Sequence, residues 1–172
     1  MRVAPLLTLL GVVSGCSGAV EVTAPSNVDP ATAQICADLV GALPERVSGQ
    51  DGQDTDPEST LTAAWGDPAI VLRCGVPRPA ALQATSSLTN VNGVDWFAEE
   101  LTGGYLFTTY GRQPYVEVTV PDTYSPEIGP VAELSATVAN TVPEGSEAEP
   151  TPSPSLTSSP SLTTSPSLTT SP

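Results

Sequence analysis

The stretch from Trp65 to Pro77 constrains this chain more than any other. Gly66-Asp67-Pro68 is a turn signal, because proline fixes φ and aspartate supplies a local side-chain acceptor. Ala69 to Leu72 follows as an unbroken apolar run with β-branched residues, which reads as a strand buried on both faces. Gly75 and Pro77 end it. Cys74, at its tip, is placed to be tied to another part of the chain.

The search for a partner to Cys74 begins at the N-terminus. Arg2 forms a short positive region and Leu6 to Val13 an apolar one, followed by Val13-Ser14-Gly15-Cys16. A membrane span needs roughly 20 apolar residues, so this run is too short to cross and fits a secretory signal peptide. Small residues at 14 and 15 before Cys16 resemble the lipobox of bacterial lipoproteins. That resemblance implies cleavage before Cys16 and attachment of a diacylglyceryl group, with acyl chains such as palmitate, to its thiol. Two acyl chains suffice for stable anchoring where one is marginal. Residues 1–15 are then the signal peptide. Residues 16–28 read as a tether holding the domain off the bilayer, and Pro25 with few large apolar side chains suits that role.

With Cys16 acylated, two of the three cysteines remain in an oxidising compartment, and a Cys36–Cys74 disulfide is expected. For a loop running from residue 36 to residue 74, the chain-entropy contribution is about 4 kcal/mol. The sharper alternatives, a cysteine nucleophile or a metal site, find no histidine to support them.

Residues 29–143 read as one α+β domain, a mainly antiparallel sheet of four to five strands with two helices packed on one face. Asp29-Pro30 starts the first helix, and Ile35, Cys36, Leu39, Val40 and Leu43 form its apolar stripe up to Pro44. Ser48 to Ser59 reads as a solvated acidic loop. Its aspartates have a calcium-loop spacing, but glycine is missing at the sixth place and Thr62 stands at the twelfth. Thr60 to Trp65 reads as a short link. Leu88–Val91 and Val94–Ala98 flank Asn92-Gly93, a hairpin signal. Tyr105–Tyr110 and Tyr115–Val120 pair across Arg112-Gln113. That turn sets Tyr105, Phe107 and Thr109 on one face with Val120, Val118 and Val116. Ser125-Pro126 signals a second helix, whose regular part is expected from Pro130 or Val131. Residues 144–172, acidic at first and repeating Ser-Pro-Ser-Leu-Thr from Ser153, read as a disordered extended tail, either an O-glycosylated stalk or a bare spacer.

Composition narrows the chemistry. Nineteen acidic residues against five arginines give a net charge of −14, which argues against nucleic acid or an anionic lipid surface as a partner, since both need basic side chains to meet phosphate. The absence of histidine removes the usual general base and pH switch.

The ordered motifs resemble the lipoproteins of high-GC Gram-positive bacteria grouped as domain of unknown function 3515. The residues that carry the resemblance are Cys36 with Leu43-Pro44, Ala64 to Pro79, Val91 to Phe97, Thr108 to Arg112, and Tyr115 to Pro121. They span Val28 to Pro143. The resemblance implies an envelope lipoprotein and brings no activity or ligand with it.

Expected from the sequence, therefore, is a module anchored through Cys16 at the outer face of the cytoplasmic membrane. It would bind or scaffold an envelope protein or a cell-wall component, without enzymatic activity, cofactor or metal. Trp96, Tyr110, Arg112 and Tyr115 are the candidate aromatic-cationic patch for such a partner. Arg73, a charge inside an apolar strand, needs a carboxylate, and Asp95 is the first candidate. The alternative is a carboxylate-dependent hydrolase of cell-wall polymer using Asp95 and Glu99.

Overall fold

The structure, a computed structural model, describes residues 18–145. The expected signal peptide, the acylated Cys16 and most of the repeat tail lie outside the described residues.

Ten strands and two α-helices follow one another. The strands are β1 (Val20–Glu21), β2 (Arg46–Val47), β3 (Gln50–Gln53), β4 (Thr55–Asp56), β5 (Thr62–Trp65), β6 (Ile70–Val76), β7 (Leu88–Val91), β8 (Val94–Leu101), β9 (Gly104–Tyr110) and β10 (Tyr115–Pro121). Helix α1 (Pro30–Ala42) precedes β2, and α2 (Ile128–Thr141) follows β10. Eight strands make one sheet in the order β2-β3-β5-β6-β10-β9-β8-β7, with every neighbouring pair antiparallel. Strands β1 and β4 pair separately and in parallel.

The α+β class holds, but the sheet has eight strands rather than four to five. Of the additional strands, β3 comes from the acidic Gly-rich stretch, β5 from the link after it, and β2 from the two residues just before it. Their composition reads as loop. They are recruited because β6, buried on one side by the helices, offers a free edge that β5 and then β3 complete.

Helix α1 starts as its sequence dictates: the Asp29 carboxylate accepts hydrogen bonds from the Ala31 and Thr32 amides at 3.0 and 3.1 Å. A hydrogen bond from the Thr32 side chain, and after it these amide bonds, hold the Asp29 carboxyl below its ordinary range. Helix α2 begins at Ile128, earlier than expected and without a side-chain cap. Ser125 instead closes a short 3-10 turn, Asp122–Tyr124.

Both helices lie on one face of the sheet. Cys36 of α1 is bonded to Cys74 of β6, whose neighbours Ile70, Leu72 and Val76 are buried. Trp96 of β8, on the same face by register, donates its Nε1–H to Ser135 of α2 at 3.0 Å. Val116, Val118, Val120 and Phe107 complete this interior with Leu39, Val131, Leu134 and Val138. The β9–β10 register is the one the turn at Arg112-Gln113 implies, with Phe107 opposite Val118 and Tyr105 opposite Val120.

Gly75 gives β6 one residue more than β10 between the pairs Val76–Tyr115 and Cys74–Val116. Its φ of +87° and the Val28 side chain beside it make glycine the residue that fits this bulge.

The expected domain limits move outward on both sides. Residues 18–28 are not a free tether, because β1 pairs with β4 and Val22 is buried. At the other end, Glu144 bridges to Arg112, and the Gly145 amide donates to Gly111. Among the described residues no helix is long and apolar enough to cross a membrane.

Candidate functional site

The face of the sheet away from the helices has a different character. Residues directly opposite across strands share a face, so one row runs Thr62, Arg73, Glu117, Thr108, Phe97, Leu88 from β5 to β7. The next row runs Ala64, Val71, Thr119, Leu106, Glu99, and all but Ala64 are half-buried. Leu101, two residues beyond Glu99 on β8, points the same way. Leu88 at 36% and Leu101 at 42% relative exposure are the exposed large apolar side chains of the described residues. Both belong to this face, at its β7–β8 edge.

Strands β6 and β7 run parallel with three strands between them. The connection 77–87 must therefore travel from one end of the sheet to the other, and the helices occupy the opposite face. Leu82 within it is buried, and the Arg78 guanidinium donates to the Leu82 carbonyl at 2.7 Å.

At the centre of the first row the Arg73 guanidinium meets the Glu117 carboxylate at 2.8 Å, with side-chain exposures of 32% and 15%. Arg73 is thus paired with Glu117 rather than Asp95, because these two stand directly opposite on neighbouring strands. Asp95 accepts instead from the Asn90 amide at 2.7 Å. Arg73 Nε and the Thr108 hydroxyl are both buried with no hydrogen-bond partner among the described residues. Burial raises the Glu117 carboxyl above its ordinary 4.5; the Arg73 charge opposes the rise and the Glu99 carboxylate adds to it. The arrangement can hold a proton on Glu117 above the usual carboxylate range and present donors beside it.

The four residues expected to form an aromatic-cationic patch do not form one exposed surface. Trp96 is fully buried under α2. Arg112 is buried as well: its Nη1 donates to the Val142 carbonyl at 2.6 Å and the Ala139 carbonyl at 3.4 Å, and its Nη2 to the Gly93 carbonyl at 3.2 Å. Its charge also lies 3.9 Å from Glu144. Tyr115 is buried and Tyr110 half-buried, opposite Asp95. Arg112 is spent on the fold because α2 has no basic residue in its last turn to meet the free carbonyls there.

Glu117 and Thr108 were missed as site residues. The signal is a polar pair at matching register, Thr108 against Glu117, on the mixed face of the β9–β10 pair. A concavity of about 720 Å³ lies at the far edge, lined by Gly18, Val20, Asp51, Gly66 and Asp67. Arg46 pairs with Asp51 there through Nε and Nη2, which holds the Asp51 carboxyl below its ordinary range. Among the described residues no group of three or more His, Cys, Asp or Glu is placed to hold a metal ion.

An open antiparallel sheet with both helices on one face, closed to α1 by a disulfide, defines a small stapled α+β domain. The chain belongs to the family described as protein of unknown function (DUF3515), whose model matches residues 3–147. No curated protein and no solved structure matches the chain.

Proposed function

We propose that the protein is a lipid-anchored extracytoplasmic module that binds or holds another component of the cell envelope. The observation that supports this reading most is the Cys36–Cys74 disulfide. It belongs in an oxidising compartment, and it leaves Cys16, at the end of a lipobox-like segment, as the remaining thiol of three. The binding surface in this reading is the helix-free face, where Leu88 and Leu101 stand exposed beside Glu99. Metabolic acyl labelling of the full chain is expected to disappear in Cys16→Ser. Labelling that persists in that variant would overturn the anchor.

A second reading draws on Glu117. A carboxyl whose hold on a proton is raised by burial, with the Glu99 carboxylate near enough to influence it, is a feature that suits acid–base hydrolysis of cell-wall polymer. The purified protein is expected to release no soluble fragments from wall polymer. Release that Glu117→Gln abolishes would replace the binding reading with this one.

A further inference from the structure

The N-terminal strand has a geometric consequence for a protein anchored at Cys16. A free tether of residues 16–28 would have a mean reach on the order of 20 Å and would let the domain face the bilayer in any direction. The observed segment is docked. The Val20 amide donates to the Asp54 carbonyl at 2.8 Å, the Val22 amide donates to the Asp56 carbonyl at 3.0 Å, and the Val22 side chain is buried. From Cys16 the extended chain spans at most about 7 Å to Gly18 and about 14 Å to Val20.

We propose that the sheet edge carrying β1, β4 and β3 faces the lipid surface, with β7 and β8 directed away from it. This rests on acylation of Cys16 and adds to it a fixed orientation. Eight strands at about 4.8 Å spacing place β7 about 34 Å from β2, so the two edges differ in distance from the bilayer by most of the domain's width. The 720 Å³ concavity lined by Gly18 and Val20 then opens at headgroup level.

Headgroup attraction does not hold this edge down. It carries Glu21, Asp51, Asp54, Asp56 and Asp67 against Arg46. On an anionic bilayer the carboxylates push outward while the short chain pulls inward. The stand-off therefore shortens as salt cuts the screening length from about 30 Å at 0.01 M to about 8 Å at 0.15 M.

The test uses the full-length acylated protein in phosphatidylglycerol/phosphatidylethanolamine vesicles carrying a headgroup acceptor dye. A donor dye is placed on Glu58→Cys, beside β4, or on Thr89→Cys, on β7. Energy transfer is expected to be at least twofold more efficient from position 58, and to rise with salt at that position. Val22→Asp, which releases β1, is expected to erase the difference while the circular dichroism of the sheet and the disulfide persist. Equal transfer from both positions in acylated, vesicle-bound protein would overturn the orientation and leave the anchor standing. Protein that carries no acyl label and stays off the vesicles would overturn the anchor, and the orientation with it.

Discussion

Glu117 is an acidic residue whose side chain is largely withdrawn from water, at 15% exposure. Its carboxyl is raised first by burial, so between pH 4.5 and its folded value the native protein holds a proton that the unfolded chain has lost. More protons bound in the native state means that stability falls as pH rises through that window. Asp29 and Asp51, lowered by their hydrogen bonds, act in the opposite sense: their stabilisation is lost as pH falls below 3.8 towards their folded values. Glu117→Gln isolates the first effect. In urea denaturation from pH 4 to 8, the stability of the parent relative to this variant is expected to fall as pH rises and then level off. A difference that stays flat, or rises, would sink the assignment. The register implied by the turn at Arg112-Gln113 sets Glu117 opposite Thr108 but does not give its burial, because Arg73 arrives beside it from β6, a strand distant in sequence. Arg112 failed for the same reason in reverse. A charged residue in a turn reads as exposed, and only the end of α2, fixed by tertiary packing, supplies the carbonyls that bury it.

Longer elements with one strong period were legible, and short ones were not. Helix α1 was readable from its Asp-Pro start, and the β9–β10 register from one tight turn. Strands β2 to β5 have two to four residues each and carry Gly, Gln, Asp and Thr, so no alternation marks them. They form because a neighbour's backbone is available. Ser125-Pro126 signals α2 in sequence, but in the fold Ser125 closes the 3-10 turn before the helix. The tie between α1 and β6 was inferred from cysteine number and compartment, and it can be tested as an element-scale constraint. Joining residues 38 apart removes unfolded-state entropy worth about 4 kcal/mol. Cys36→Ala with Cys74→Ala, or reduction of the parent protein, is expected to lower the urea-denaturation free energy by about that amount. A loss under about 1 kcal/mol would mean that α1 is held by its packing against β6 and α2 alone.

At the scale of the whole molecule the two faces of the sheet divide the work. One is largely closed by helices: Trp96, Val116 and Phe107 are covered, and Ser135 is bonded both to Trp96 and to the Val131 carbonyl. The other keeps a half-buried strip that ends in Leu88 and Leu101. A chain of net charge −14 repels its own copies, so exposed leucines at one edge are better explained by a different partner, neutral or basic, than by self-association. If the β1–β4 edge meets the bilayer, this leucine edge projects into the envelope, about 34 Å further out, where such a partner is reached. Leu88→Asp and Leu101→Asp change side chains that are already solvated, so each is expected to shift stability by no more than about 0.5 kcal/mol. Both are expected to abolish in-cell crosslinking to an envelope partner, whereas Glu58→Gln at the opposite edge leaves it intact. Capture that survives both leucine changes would remove the helix-free face as the binding surface. Loss in Glu58→Gln alone would move recognition to the membrane-proximal edge, where the acidic strands and the anchor meet.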